Sequence, residues 1–293
     1  MSYLILNAIF DDIRQMRETS DLCIEDLDVS TPFSILRLSD GSVGSASNYD
    51  VQNGNQQHDP SEARASYRSF LVNDPLLVKT LQRDPTLTGL SIRTAVLSAL
   101  SQPLFRVDVL HRLGYGYRML TDKVEALAER LRPGDTVTVV GFGGLLDAVC
   151  RSEQIRHIYV CDFLFREPKY RKAAERRMAK LCRRSGSWTL LCGSLCGKAL
   201  ARSSVALITG SALCNGTMEE LLALSSGCRE VVLQGPSCSL LPTEFFRRSV
   251  TLLLTTRKNN EEWEQGSGMG NRIYSLVDRN YFAVWQEAGR GRV

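Results

Sequence analysis

The sequence predicts an α/β protein in which a Rossmann-like, doubly wound and mostly parallel sheet follows a smaller α+β domain. Its 293 residues suggest about two domains, each large enough to bury its own core. From residue 134 onward, short apolar runs alternate with helical segments, which is typical of a parallel sheet. We therefore expect an α+β domain over 1–118 and a Rossmann-like ligand-binding domain over 119–293.

The elements expected in the first domain follow from periodicity. Apolar residues at helical spacing predict an amphipathic helix over 4–19. The run FSILRL, a Ser-Asp-Gly-Ser turn and the segment 43–49 predict a β-hairpin. The polar stretch 50–60 has almost nothing to bury and predicts an exposed loop. Helices are predicted over 74–82, 91–100 and 121–131.

The second domain begins after a turn at Arg132-Pro133-Gly134-Asp135, where T-V-T-V-V is suited to a strand buried on both faces. A polar, Gly-rich segment after Lys258 precedes a predicted terminal helix through Tyr281 and Trp285. Strands are predicted over 137–140, 157–161, 188–192, 205–209, 230–233 and 249–254, and helices over 145–150, 169–184 and 218–225.

Composition excludes several classes of protein. The net charge of +4 does not demand a nucleic-acid partner, and no run of about 18 apolar residues is present to span a membrane. The apolar stretch 3–10 lacks preceding basic residues, so we expect no signal peptide. Nine cysteines without a C-x-x-C pair indicate reduced thiols. We expect a cytoplasmic protein, with homodimerisation as the default assembly.

A glycine-rich turn follows the first predicted parallel strand. In V-V-G-F-G-G-L-L, residues Gly141, Phe142 and Gly143 stand where backbone must approach a ligand, although the third glycine of G-x-G-x-x-G is missing. Asp162 lies 21 residues beyond Gly141, at the end of the next strand, where an acid can accept both hydroxyls of a ribose. The alternative is that Gly141 and Asp162 are a turn and a cap residue.

A second candidate wall follows the strand over 205–209. Thr209, Gly210 and Asn215 lie at its carboxyl end, where open α/β sheets bind ligands. Thr217 and Glu220 match a capping box, which has no functional meaning. The segment Q-G-P-S at 234–237 either shapes the same crevice or merely ends a strand.

These segments carry a resemblance to a known family. The runs T-G-S-A-L-C-N-G-T, R-E-V-V-L-Q-G-P-S and G-D-T-V-T-V-V-G-F resemble a bacterial and archaeal family named only for “putative heavy-metal chelation”. The resemblance implies a Rossmann-like carboxyl-terminal domain after a smaller domain similar to the enolase amino-terminal fold. It also implies a site between the two domains. The pair Gly143-Gly144 departs from the family, in which we expect bulkier residues or proline at these positions. With two glycines the loop is closer to the glycine-rich turn of S-adenosylmethionine enzymes.

Other candidate chemistry has less support. Three residues that precede the expected interdomain helix are candidates for substrate binding: His111, Tyr115 and Tyr117. The alternative for His111 is a purely structural role. No zinc motif is present, so we predict no metal ligands; Cys192 and Cys196, four residues apart, remain a minor metal alternative. No G-x-S-x-G or local Cys-His pattern indicates a nucleophile. The basic run over 166–184 indicates a solvated helix face.

The resulting hypothesis is an enzyme that binds a nucleotide-type cofactor between its domains. S-adenosylmethionine is the favoured cofactor, and the reaction class is that of a transferase, cyclase or lyase. The substrate would be a small amino-acid-like molecule, in metallophore or natural-product biosynthesis. The alternative is a non-enzymatic protein that binds a heavy metal or a metal chelate.

Overall fold

The computed structural model describes residues 4–29, 32–49, 72, 87–182, 187–256 and 281–287. It confirms the predicted fold class, with an eight-stranded, mostly parallel sheet and a separate three-stranded antiparallel sheet. The predicted loop over 50–60, the predicted helix over 74–82 and the Gly-rich segment after Lys258 lie outside the described residues.

The small sheet has the order β1 (Ile24–Asp28), β2 (Phe33–Leu38), β3 (Val43–Ser47), and both of its strand pairs are antiparallel. The long apolar helix α2 (Leu87–Ser101) packs directly on β2 and β3. Gly44 permits this contact, because a Cβ there would stand 1.9 Å from the carbonyl oxygen of Ala95. The elements are α1 (Leu4–Met16), β1 (Ile24–Asp28), β2 (Phe33–Leu38), β3 (Val43–Ser47), α2 (Leu87–Ser101) and α3 (Val107–Arg112).

The large sheet has the strand order β4-β11-β10-β9-β8-β5-β6-β7. Its elements are β4 (Tyr115–Leu120), α4 (Lys123–Ala128), β5 (Thr136–Val140), α5 (Leu146–Arg151), β6 (His157–Asp162), α6 (Pro168–Leu181), β7 (Ser187–Cys192), α7 (Cys196–Leu200), β8 (Val205–Thr209), α8 (Met218–Leu224), β9 (Glu230–Gln234), α9 (Thr243–Arg247), β10 (Leu252–Thr256) and β11 (Tyr281–Gln286).

The six strands from β10 to β7 in this order are all parallel. From β5 the chain proceeds outward to β6 and β7, and it then returns to β8 on the other side of β5. The strand order therefore reverses between β5 and β8, which is the topological switch point where doubly wound sheets bind ligands.

The predicted terminal helix through Tyr281 and Trp285 is wrong, because these residues form β11. The segment Tyr-Phe-Ala-Val-Trp-Gln is rich in strand formers, and it inserts antiparallel between β10 and β4. The sequence patterns predict neither β1 nor β4. Because β4 covers residues 115–120, the expected domain boundary after residue 118 falls inside a strand.

Each face of the large sheet has its own apolar core. Val137, Val139 and Ile158 belong to the core under α5 and α6. Ala206 and Ile208 belong to the core on the opposite face, which also includes residues of α1, α2 and β2. The small sheet and its helices therefore pack against the large sheet through a continuous apolar interior.

The basic helix α6 buries only Ala174 and Met178 among its described side chains, so its charges form a solvated face as predicted. In the part of the chain that the structure describes, no helix is both long enough and apolar enough to cross a bilayer.

Candidate functional site

The carboxyl ends of β5, β6, β8 and β9 lie together at the switch point, where doubly wound sheets bind their ligands. We call the region between the turns that follow these four strands the crevice. The small sheet closes one side of it. The backbone N–H of Ser47, at the end of β3, donates to the hydroxyl of Ser237 at 3.0 Å. The Ser47 hydroxyl lies 2.7 Å from that of Ser211, so β3 is joined to the turns after both β8 and β9.

The glycine turn after β5 contacts the wall after β8. Gly141 has a φ of 96°, a left-handed conformation that strongly favours glycine. A Cβ at Gly141 would stand 2.9 Å from Cγ2 of Thr209. The two groups of residues that the sequence singled out are therefore brought together across the switch point.

The carboxylate of Asp162 organises the same turn. Its Oδ2 accepts a hydrogen bond from the backbone N–H of Phe142 at 2.9 Å. Its Oδ1 accepts one from the N–H of Leu164 at 2.9 Å and caps the short helical turn after β6. Both bonds are the contacts expected if Asp162 is only a cap residue, which is the alternative to a role in ligand binding. Because an ionised carboxylate offers about four acceptor positions, Asp162 keeps acceptor capacity for a ligand.

The two remaining glycines of the turn face different surroundings. Apart from Gly143 itself and its two neighbours in the chain, no heavy atom lies within 4 Å of the position that a Cβ at Gly143 would take. A Cβ at Gly144 would instead stand 2.2 Å from Oε1 of Gln234. That buried amide oxygen accepts a hydrogen bond from the N–H of Leu145 at 2.9 Å. The turn is thus filled on the Gly144 side and open at Gly143.

The wall after β8 is held by local polar contacts. Gly210 lets the turns after β8 and β9 approach closely, since its Cβ would stand 2.7 Å from the backbone nitrogen of Cys238. Oδ1 of Asn215 accepts hydrogen bonds from the N–H of Thr217 at 3.2 Å and from its hydroxyl at 2.6 Å. The predicted capping box with Glu220 does not form, because Asn215 engages the Thr217 hydroxyl instead.

Tyr49 also borders the crevice, and no pattern in the sequence predicts its place there. It follows β3, and its hydroxyl lies near the side chains of Ser211 and Asn215. Burial is the largest cause of a raised Tyr49 pKa, and the nearby Cys214 and Asp162 add to it, so the phenol stays protonated at neutral pH. The sequence showed only a strand end here, because the contact depends on how the two sheets meet.

Cys192 stands at the carboxyl end of β7, paired in register with Asp162. The N–H of Ser194 and the Arg166 guanidinium, whose Nε lies 3.3 Å from Sγ, lower the pKa of this half-exposed thiol. Cys196 is buried and contacts Cys161. Within the described ranges, no three His, Cys, Asp or Glu side chains are placed to hold a metal ion together.

The structure does not bring the three substrate candidates to the crevice. Tyr115 and Tyr117 lie on β4, at the sheet edge opposite β7, where their rings pack against Phe246 and Phe282 at 4.8 and 5.3 Å. Five strand spacings of about 4.8 Å separate β4 from β5, or roughly 24 Å. His111 lies in the last turn of α3, beside β4, and is exposed.

Comparison with known proteins confirms the family resemblance. Residues 124–265 match the model of the DUF364 family, whose description is “putative heavy-metal chelation”. The matched range includes β5 to β10 and therefore all the turns of the large sheet that form the crevice. A search of curated proteins finds no match for this chain.

Two solved DUF364 structures, both described as proteins with unknown function, share the fold over nearly the whole chain. The protein from Desulfitobacterium hafniense is 16% identical with a TM-score of 0.63, covering 96% of this chain and 99% of its own. The protein from Pyrococcus horikoshii is 16% identical with a TM-score of 0.62, covering 95% and 99%. At this identity the likeness shows the fold alone.

A Streptococcus pneumoniae protein, described as a putative tRNA (m1A22) methyltransferase in complex with S-adenosyl-L-methionine, matches partially. It is 17% identical with a TM-score of 0.31, covering 60% of this chain and 76% of its own. This likeness is too low to carry an argument about a cofactor.

Proposed function

We propose that this DUF364-like chain is an enzyme that binds a nucleotide-type cofactor, with S-adenosylmethionine as the candidate, in the crevice at the switch point. Its substrate is a small amino-acid-like molecule, and the reaction is that of a transferase, cyclase or lyase. We place this reaction in the biosynthesis of a metallophore or another natural product. Such a pathway would be consistent both with the reaction class and with the family's description, which refers to heavy-metal chelation.

One observation carries the proposal: the glycine turn is open at Gly143 and lies beside an acid at the end of the neighbouring strand. No heavy atom outside residues 142–144 lies within 4 Å of a Cβ placed at Gly143, so a ligand has room to approach the backbone there. Asp162 is fixed next to the same turn by its bond to Phe142. Dinucleotide-binding sheets use the same two features. The glycine turn lets the backbone approach the ligand, and the acid at the strand end accepts the ribose hydroxyls.

The roles of the residues follow from their positions. Asp162 would accept the ribose hydroxyls with the acceptor positions that its two backbone bonds leave free. Thr209 and Asn215 form the opposite wall, and Tyr49 closes the crevice from the small sheet. No acid–base pair stands out among these groups, so proximity and orientation would supply most of the rate enhancement.

The first experiment is a thermal-shift panel on the purified protein. The compounds are S-adenosylmethionine, S-adenosylhomocysteine, nicotinamide dinucleotides, ATP and divalent metals. A ligand at about 100 times its dissociation constant stabilises the folded state by roughly 2.7 kcal/mol, which raises Tm by several degrees. Stabilisation by the adenosyl compounds supports the proposal. A panel with no nucleotide-dependent shift contradicts it.

A matched pair of glycine variants localises the ligand. Gly143 does not have a positive φ, so Gly143→Ala should fold normally while its new methyl group enters the open space of the crevice. We expect at least tenfold weaker binding of the adenosyl compound. Gly227→Ala is the control, because its Cβ also meets nothing within 4 Å but lies in the turn after α8. Equal affinity in the two variants would place the ligand elsewhere.

The second candidate function is the binding of a heavy metal or a metal chelate without catalysis, and the description of the matched family favours it. The described residues offer no group of three metal ligands, so a chelate that brings its own donors suits this chain better than a bare ion. Stabilisation by metals alone, removed by a chelator or by Cys192→Ser with Cys196→Ser, would replace the enzyme proposal.

A further inference from the structure

A polar groove lies at the amino-terminal edge of the large sheet, opposite the crevice. It has a volume of about 480 Å³ and runs across the starts of β5, β6 and β7. We call it the amino-edge groove. Its lining residues are Thr136, Arg156, His157, Tyr159, Ser187 and Arg202.

The sheet is polar on the groove side and apolar on the other. Ile158 and Val160 of β6 point into the core under α5 and α6. The alternate residues His157 and Tyr159 line the groove instead, as do Thr136 and Ser187 on the adjacent strands. A parallel sheet covered on both faces has apolar residues on both. Here α7, the helix that packs on this face beside the groove, is only five residues long and leaves it open.

Two arginines at the rim carry positive charge without a described counterion. Arg156 immediately precedes β6 and Arg202 precedes β8, on either side of β5. Arg156 donates to the Thr136 hydroxyl at 3.4 Å, and neither arginine is in an ion pair within the described part of the chain. No carboxylate lines the groove. The carboxylate of Asp135, at the same edge, is paired with Arg229 at 2.7 Å.

Neutral hydrogen-bonding groups form the floor of the groove. The ring nitrogens of His157 lie 2.5 Å from the Ser187 hydroxyl and 3.1 Å from the Thr189 hydroxyl. Burial, with a smaller contribution from Arg156, lowers the pKa of His157, which favours the uncharged imidazole. Its ring centroid stands 4.4 Å from that of Tyr159. Hydroxyl, imidazole and aromatic surface are therefore presented together.

We propose that the amino-edge groove binds a small phosphate monoester, with the phosphate between Arg156 and Arg202 and the organic group on His157 and Tyr159. Guanidinium groups recognise phosphate through paired, charge-assisted hydrogen bonds. The volume lies in the range of small-molecule sites, which is about 300–1,000 Å³. This site is independent of the crevice, because it occupies the opposite end of the strands.

The test uses phenyl phosphate as the probe and phenol as its uncharged analogue, each titrated calorimetrically into the 293-residue chain at pH 7.5 and low salt. We expect millimolar or tighter binding of phenyl phosphate and at least tenfold weaker binding to Arg156→Gln and Arg202→Gln. Arg176→Gln, an exposed arginine on α6, is the matched charge control and should change the affinity by less than twofold. Unfolding by heat checks that each variant is folded.

Three results would overturn the proposal: no binding at 10 mM phenyl phosphate, equal binding of phenol, or equal losses in Arg176→Gln and Arg202→Gln. A second readout locates the ligand. The chain has three histidines, so the imidazole signals of His157 can be assigned by comparison with His157→Gln. Phenyl phosphate should shift those signals. Binding without any such shift would place the phosphate outside the groove.

Discussion

The side chain of Gln234 occupies the space that a Cβ on Gly144 would need. Its Oε1 lies 2.2 Å from that position and accepts the N–H of Leu145 at 2.9 Å. The end of β9 thereby supports the glycine turn after β5, although β8 lies between the two strands. Glycine is required at 144 for a second reason, since its φ is 57°.

We predict that Gly144→Ala and Gln234→Ala are coupled. Gly144→Ala alone should lower the free energy of unfolding by about 2 kcal/mol or more, from backbone strain and the clash together. Gln234→Ala should cost about 1–2 kcal/mol, because the buried N–H of Leu145 loses its acceptor. In the Gln234→Ala background, Gly144→Ala should lower the free energy of unfolding by only about 1 kcal/mol, because the strain of the positive φ is then the remaining cost. Urea unfolding of the four proteins measures the coupling, and strictly additive costs would contradict it.

Asp162 offers a test that separates stability from binding. Asp162→Ala removes the acceptor for both Phe142 and Leu164, and we expect it to lower the free energy of unfolding by about 1–2 kcal/mol. It should also weaken the binding of the proposed adenosyl ligand. Chemical denaturation and a ligand titration give the two values.

The matched control is Asp122→Ala. Asp122 caps α4 by accepting the N–H of Val124 at 2.9 Å and is not one of the crevice residues. It should lose comparable stability and keep full ligand affinity. If the two variants bind the ligand equally well, Asp162 is only a cap.

Gly44 fixes how closely α2 packs on the small sheet. A Cβ there would stand 1.9 Å from the Ala95 oxygen and 2.5 Å from the Ala99 nitrogen, and backbone atoms of a helix cannot move aside as a side chain can. We predict that Gly44→Ala lowers the free energy of unfolding by about 3 kcal/mol or more. Gly227→Ala should lie within about 0.5 kcal/mol of the parent protein. A small effect at Gly44, measured by urea unfolding, would contradict the close packing.

The parallel strands were predictable from sequence, whereas the antiparallel edge was not. Strands β5, β8 and β9 are short, largely apolar runs with turn residues at both ends, and burial on both faces favours that pattern. Strand β11 comes after a segment without periodicity, and one of its two neighbours, β4, is distant in the chain. Its pairing depends on tertiary contacts that local propensity does not record.

The same distinction applies to the crevice. Gly141 and Asp162 were predictable, because adjacent parallel strands end at the same edge of a sheet. Gln234 and Tyr49 were not, since each acts through a side chain that reaches another strand or the other sheet. The expectation for Tyr115 and Tyr117 rested on their place in the chain, and the pairing of β4 with β11 puts them at the far edge.

Cys192 should be the most reactive thiol among the described cysteines. It is half-exposed, and the Ser194 N–H and Arg166 lower its pKa, which increases the thiolate fraction at neutral pH. Cys228 is also half-exposed, but burial raises its pKa. We expect iodoacetamide to alkylate Cys192 several times faster than Cys228, as measured by mass spectrometry of peptides. Arg166→Gln should reduce this difference, and an unchanged rate would show that the guanidinium does not stabilise the thiolate.

Asp135 should make the stability of the fold depend on pH in the acid range. Its carboxylate is 7% exposed; burial alone would raise its pKa, but hydrogen bonds from Ser204, Arg132 and Arg229 hold the pKa below its ordinary value. A carboxyl whose pKa is lower in the folded state stabilises the fold above the unfolded-state pKa of about 3.9, and the stabilisation is lost as pH falls through the folded-state pKa.

We therefore predict that Asp135→Asn lowers the free energy of unfolding by about 1–3 kcal/mol between pH 5 and 7, and by progressively less below pH 4. Urea unfolding at several pH values measures this difference. Asp147→Asn is the control, because its pair with Arg177 at 3.0 Å is about half exposed and should contribute less than 1 kcal/mol. A difference at Asp135 that stays constant down to pH 2.5 would mean that its carboxylate is not the group responsible.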